Sequence, residues 1–316
     1  MIEKIRKIMN KKGEMSSKMV VSMILLIAAF GILLYVYVQL NPKGEINREV
    51  CHNSVVFKMT LPESKLIDPK EAINLRCKTR KVCITDKTLG KGDCGGELGA
   101  EYDTVKVSSD KTKQEKEIKM FVAREMADCW AMMGGGKGQI FSRGVKSQET
   151  CVVCSRISFD KSIKEKIKEI TGLGEYLISY KVPNKEISYW NFLNSGAVAG
   201  EYNKNLDKFS TEQKAIVFGE AGSSTALSWA SGILGGSSGA IVGVKLGAAI
   251  GSIIPGGGTI AGGAIGFIGG GIVGGILGSE FNDRFQGAEY ASSWIFLDYD
   301  KSKISELECT SFENLA

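Results

Sequence analysis

GSIIPGGGTIAGGAIGFIGGGIVGGILG, residues 251–278, is the stretch on which the architecture of this chain turns. Glycine is the poorest ordinary helix former, about 1 kcal/mol per residue worse than alanine. The run is nevertheless apolar and regularly spaced. Gly262, Gly266, Gly270, Gly274 and Gly278 recur every four residues, and upstream Gly235, Gly239, Gly243, Gly247 and Gly251 do the same. Pro255-Gly256-Gly257-Gly258-Thr259 separates the two ladders as a turn. On a helix, residues four apart share one face. The spacing therefore predicts two helices joined by a turn, each with a smooth groove where another backbone comes close.

This pattern resembles the glycine-zipper helical hairpins of membrane-inserted and pore-forming proteins. The resemblance implies close helix packing and self-association, and it specifies no single activity. About ten ladder glycines cost on the order of 10 kcal/mol of helix propensity against alanine. Such a hairpin needs either a packing partner or a bilayer, which forbids unpaired backbone groups. Residues 259–278 carry no charge, whereas Lys245 sits near the middle of the first ladder. In lipid a central lysine costs about 2.5–3.5 kcal/mol. Insertion in a membrane and packing on protein are both open for this segment.

The N-terminal end carries a second apolar run. Residues 19–40, MVVSMILLIAAFGILLYVYVQL, are 22 uncharged and mostly apolar residues. That length crosses a hydrocarbon core of about 30 Å. Residues 1–18 hold Lys4, Arg6, Lys7, Lys11, Lys12 and Lys18 against Glu3 and Glu14, which is +4 of the chain's formal +5. The positive-inside rule then predicts a cytoplasmic N-terminus and an extracytoplasmic bulk. Lys11-Lys12-Gly13-Glu14 before the apolar run also resembles the pilin-type signal peptides of archaea, which are cut after the glycine. The remaining charge of about +1 gives no basic face, so nucleic acid is excluded as a partner.

All eight cysteines lie beyond this run: Cys51, Cys77, Cys83, Cys94, Cys129, Cys151, Cys154 and Cys309. An even number outside the membrane predicts disulfides. The pairing is not readable from spacing. Cys151-Val-Val-Cys154 is a CxxC, but it precedes a strand-like SRISFD instead of opening a helix. Two structural cysteines bonded to different partners are expected, with thiol–disulfide exchange or a four-thiolate zinc site shared with Cys77 and Cys83 as the alternatives.

Between these markers the chain reads as α+β. VVFKMTL (55–61), NLRCKTRKVCIT (74–85), EYDTVKVSS (101–109) and SSWIFLDY (292–299) favour strands. LGKGDCGGELG (89–99) reads as a loop pinned by Cys94. Thr112 and Glu115 form a capping box. Ile118, Val122, Met126, Cys129 and Met133 follow at helical spacing until Gly134-Gly135-Gly136 stops the helix. Cys129 is expected to staple this helix to the strands or to the 151–154 segment. A short helix is predicted over 162–171, with Ser162 and Glu165 as cap and Ile163, Ile167 and Ile170 inward. ISYWNFL (187–193) is aromatic and expected to pack.

Catalytic chemistry is sparse. His52 is the only histidine and sits beside Cys51. GGGKG (134–138) follows a helix and lacks the order of a phosphate loop. Asp298, Asp300 and Ser302 begin like a calcium loop, but Lys303 and Cys309 stand where glycine and glutamate are required. No cofactor or metal is implied, and no carboxylate pair stands out.

The predicted fold class is α+β. A cytoplasmic tail (1–18) leads through a transmembrane helix (19–40) and a stalk (41–50) into a disulfide-rich extracytoplasmic domain (51–221). A glycine-zipper hairpin (222–280) interrupts that domain, which resumes over 281–316. The layout resembles uncharacterised membrane-anchored surface proteins of archaea. The expected function is non-catalytic, through membrane insertion or oligomeric assembly of the hairpin. The alternatives are a structural or adhesive module with the hairpin packed on protein, and a thiol oxidoreductase using Cys151 and Cys154.

Overall fold

A computed structural model describes residues 17–39, 43–61, 74–136, 138–141, 149–193, 208–222, 241–247, 264–268, 290–305, 307, 309 and 311–313. The chain divides into two compact units, Met1–Ile46 and Asn47–Ala316. The first contains α1 (Ser17–Gln39), a helix of 23 residues. Among the described residues no helix is long and apolar enough to cross a membrane.

The second unit is α+β, with strands of both directions in one sheet. Its helix α2 (Lys43–Thr60) begins before the boundary and runs on into the domain. Here two expectations are corrected. Residues 41–50 are not a stalk throughout, because Lys43 onward is helical, and 55–60 are helix instead of strand. Val55 and Val56 favour strands only weakly. The helix is held by Cys51–Cys77 and by Arg48, which pairs with Glu125 at 2.7 Å and Asp128 at 2.5 Å. Tertiary ties of this size override propensity differences of a few tenths of a kcal/mol.

The strands follow: β1 (Arg80–Thr85), β2 (Asp103–Lys106), β3 (Thr150–Phe159), β4 (Glu169–Thr171), β5 (Lys208–Ser210), β6 (Lys214–Gly222), β7 (Ile241–Gly247), β8 (Ala264–Ile268), β9 (Tyr290–Asp298) and β10 (Ser311–Glu313). The main sheet has the order β2-β1-β3-β6-β9-β7-β8, and β10 pairs with β3. β2, β1 and β3 are parallel, and from β3 onward neighbours are antiparallel. β4 and β5 form a separate two-stranded ribbon.

A long helix, α4 (Lys111–Met132), covers one face; the short α3 (Gly95–Leu98) precedes it. Ile118, Val122, Met126, Cys129 and Met133 are all buried, as their spacing predicts. The cap is Asp110, which accepts the Lys113 N–H at 3.0 Å, so the helix starts just before the Thr112 box. The Asp110 N–H donates to Ser108 Oγ at 3.2 Å, and Glu117 accepts the Ser108 N–H at 2.6 Å, two residues before the cap. Gly134, Gly135 and Gly136 end the helix at positive φ. Trp130 lies 5.9 Å from Phe218 across the helix–sheet contact. Three short helices follow: α5 (Lys161–Lys166), α6 (Leu173–Ser179) and α7 (Tyr189–Leu193). Ile163, Ile167 and Ile170 are buried, but the predicted helix breaks before Ile170, which lies in β4. Tyr189, Trp190 and Leu193 pack inward as expected. The opposite face of the sheet is also buried at Val153, Ala215, Val217, Ile295 and Leu297.

The helical hairpin is corrected where the structure describes it. Gly243 and Gly247 lie in β7 and Gly266 in β8, and those strands are antiparallel partners. A repeat of four falls on one face of a strand as well as of a helix, because side chains alternate with period two. Gly235, Gly239, Gly251, Gly262, Gly270, Gly274 and Gly278, with the turn at 255–259, lie outside the described residues.

The eight cysteines form four disulfides: Cys51–Cys77, Cys83–Cys94, Cys129–Cys154 and Cys151–Cys309. Cys151–Cys309 spans a sequence separation of 158. Opening so long a loop by Cys151→Ser is expected to cost about 2–5 kcal/mol. Urea unfolding of the parent and the variant measures it, and equal midpoints would show the tie to be dispensable.

Candidate functional site

β1, β2 and β3 share one direction, and so does β9, since β3 and β9 are each antiparallel to β6. Their carboxyl ends therefore lie along one edge of the sheet. This is the edge where open sheets with parallel strands place their ligand sites. After each of the four strands the chain reads Asp-Lys-Ser/Thr: Asp86-Lys87-Thr88, Asp110-Lys111-Thr112, Asp160-Lys161-Ser162 and Asp300-Lys301-Ser302.

Three carboxylates of this motif cap helices, Asp160 from a buried position and Asp110 and Asp300 from exposed ones. Asp110 caps α4 and Asp160 caps α5, accepting the Ser162 N–H at 3.1 Å. Asp300 caps α8 (Lys301–Ser305), accepting from the N–H groups of Ser302 and Lys303 at 2.8 and 3.0 Å. These are N-cap bonds, which satisfy orphan donors of the first turn. The adjacent lysines turn outward: Lys111 and Lys301 are exposed, and the Lys161 side chain is 81% exposed.

Asp86 and Asp160 approach one another through Ser162. Its Oγ donates to Asp86 at 2.6 Å and lies 3.2 Å from Asp160. Asp160 is buried, and its second oxygen accepts the Asp93 N–H at 2.8 Å and the Thr85 hydroxyl at 3.1 Å. Lys87 Nζ stands 3.1 Å from the same oxygen. Burial alone would raise the Asp160 pKa, but the N–H groups of Asp93 and Ser162, with Lys87 and Thr85, outweigh it and hold the value at about 2. The Asp86 pKa is also lowered, first by Lys166 and then by Ser162. Gln114 contributes weakly to that lowering, yet neither polar atom of its buried side chain makes a well-formed hydrogen bond among the described residues. Two carboxylates held ionised and saturated with donors have no proton to give. Among the described residues no three acidic, cysteine or histidine side chains are grouped to hold a metal.

The pair instead clamps a loop, residues 86–93. Cys83–Cys94 closes its base. Tyr102 donates to the Gly92 carbonyl at 2.7 Å, and Lys106 Nζ to the Thr88 carbonyl at 2.6 Å. Gly92 packs so tightly that a Cβ there would meet Cys83 Sγ at 2.5 Å and Thr85 Cβ at 3.0 Å. The loop turns at Gly90, where φ is +82°, and presents Leu89, which is 87% exposed.

The residues singled out in the sequence lie elsewhere or act structurally. Cys151 and Cys154 are in β3 and bond to Cys309 and Cys129, so they share no disulfide with each other. His52 is exposed, with Nδ1 at 3.1 Å from the Met132 carbonyl. Asp298 pairs with buried Lys214. The Asp86–Asp160 pair went unread because the two are far apart in sequence. Its signal is the repeated Asp-Lys-Ser/Thr, which acquires meaning only once each copy is placed after a strand.

No family model, curated protein or solved structure matches this chain.

Two outcomes follow from the clamp. The folded Asp160 pKa of about 2 lies below the ordinary 3.8. Its contribution is thus full above about pH 4 and lost as pH falls through about 2, worth on the order of 2 kcal/mol. Asp160→Asn should lower stability by that amount at neutral pH, and the deficit should shrink below about pH 3; a pH-independent deficit in urea titrations would refute the assignment. Gly92→Ala should cost about 1–3 kcal/mol by overpacking against Cys83 and Thr85. Thermal unfolding at neutral pH checks it, with Gly95→Ala, which meets open space, as the mild control.

Proposed function

We propose that this chain is a membrane-anchored, non-catalytic surface protein: α1 holds a disulfide-bonded α+β domain on the extracytoplasmic side of a membrane. One observation carries this reading. The consecutive side chains Met23, Ile24, Leu25, Leu26 and Ile27 of α1 are 56, 60, 65, 69 and 67% exposed. They go all the way round the helix, and a helix apolar all round belongs in an apolar medium. The side chains described in α1 run over 20–33 and 35, short of the ~20 apolar residues that a span takes. The apolar sequence itself continues from Met19 to Leu40.

Topology follows from independent features. The cationic tail precedes the helix, which favours a cytoplasmic N-terminus. All eight cysteines are paired, which suits an oxidising compartment. The split bonding of Cys151 and Cys154 favours a structural use of the CxxC over thiol exchange. The pairing of β7 with β9 favours the form of this function in which the glycine-rich segment packs on protein. Three-carboxylate or metal chemistry has no support among the described residues, and the clamp around Asp160 serves shape.

The expected result is that the full-length protein stays with membranes through alkaline carbonate extraction, with the domain open to added protease on the outer side. Leu26→Arg with Phe30→Arg should release it, because each charge near a span's centre costs about 2.5–3.5 kcal/mol. Carbonate release of the parent protein would end the anchoring reading.

A further inference from the structure

We infer that β8 is an interface between copies of this chain: it pairs antiparallel with β8 of a second copy, about a twofold axis at Gly266, and joins the two main sheets into one. The inference goes beyond the anchoring proposed above and does not depend on it.

Three observations lead there. The first is position. The main sheet ends at β2 on one side and at β8 on the other. Among the described residues β8 pairs with β7 alone, so one row of its backbone N–H and C=O groups lies along the outer edge. A strand so placed is a template for another strand.

The second observation is the contrast between the two edges. β2 is four residues, DTVK, with a charge at each end. Asp103 is paired with Arg80, and Lys106 Nζ bonds the Thr88 carbonyl at 2.6 Å. Short, charged edge strands resist pairing. β8 reads AIGFI, and no charged residue stands between Lys245 and Glu280. The nearest proline is Pro255. An edge strand without charge or proline lacks the devices that keep sheet edges apart.

The third is self-complementarity. Centred on Gly266, an antiparallel pair of β8 strands matches all five residues. Ala264 falls opposite Ile268, Ile265 opposite Phe267, and Gly266 opposite itself. Aromatic and β-branched residues are favourable cross-strand neighbours. A charged strand from another protein would meet no counter-charge at this edge, whereas a second copy brings none to satisfy. The same patch serves both partners, as a twofold interface requires, and the pairing uses up both β8 edges. The edges left outside are two copies of β2, whose charges stop further addition, so the assembly closes as a dimer.

The test uses the full-length chain in detergent micelles, with mass read by sedimentation. The parent should sediment as a dimer. Two variants carry charge at the same two positions. Ile265→Lys with Phe267→Lys sets lysine opposite lysine across the axis and should be monomeric. Ile265→Glu with Phe267→Lys sets glutamate opposite lysine and should dimerise roughly tenfold more tightly than the first. A parallel pairing would set like charges together in both variants and leave both weak. Circular dichroism and non-reducing mobility should match the parent in each. A crosslink adds a second measurement without new charge. All eight native cysteines are bonded, so an added cysteine is the free thiol. Chains with Ile265→Cys and chains with Phe267→Cys, tagged to differ in size, are mixed and oxidised. The mixed crosslink should form several-fold faster than that of either variant with itself. Should the charged variants lose the fold, the crosslink decides alone. A monomeric parent, equal association of two folded charged variants, or no preference for the mixed crosslink overturns the inference.

Discussion

The disulfide between Cys129 of α4 and Cys154 of β3 sets where the main helix sits on the sheet. Glu125 lies one turn before Cys129, on the same face, and Ser155 follows Cys154. The covalent tie therefore brings Glu125 into the core, where Ser155 Oγ donates to it at 2.6 Å. A buried carboxylate is costly unless ion pairs and hydrogen bonds surround it. Arg80 at the start of β1 and Arg48 in α2 supply the pairs. Arg80 bonds Asp103 of β2 at 2.9 Å as well. Burial would lower the Arg80 pKa, but Glu125 and Asp103 more than offset it and raise the value. One helix–strand crosslink thus recruits the edge strands and the segment by which the chain enters the domain.

Much of this frame was legible. The spacing of Ile118, Val122, Met126, Cys129 and Met133 named the buried face of α4, because a helix leaves no other way to bury those five together. The even cysteine count and the apolar run before it named the redox state. What failed was local. VVF at 55–57 reads as strand, and only the distant partners Cys77, Glu125 and Asp128 make it helix. Ile163, Ile167 and Ile170 fit a helix, yet the chain leaves the helix after Lys166 and buries Ile170 from β4. Apolar periodicity reports burial more faithfully than it reports backbone shape. The carboxyl edge was less legible still. Leu89 carries no signature in a sequence, and a three-residue motif repeated four times says nothing until the strands before it are aligned.

The glycine ladders show the same ambiguity at its largest. Period four cannot separate a helix face from a strand face, and the composition around Gly243 and Gly266 is rich in Ile and Val, which suits strands. The register then explains what glycine does there. Gly243 is paired with Trp294 on β9 and with Gly266 on β8. Trp294 is fully buried. Bare backbone beside a large ring leaves room for it, a cross-strand device that serves glycine as well as tryptophan.

Glycine in a strand still carries an entropic cost of roughly 0.5–1 kcal/mol per residue relative to alanine. The offset lies outside the segment itself. Cys151 and Cys309 bracket β6, β7, β8 and β9, so the glycine-rich stretch belongs to a covalently closed loop in the folded and unfolded chain alike. Closing a loop of that length removes freedom chiefly from the unfolded state. The readable strands β3, β6 and β9 then form the template on which β7 and β8 add. A segment too weak to hold a shape alone becomes tolerable as the last addition to a sheet whose ends are already joined.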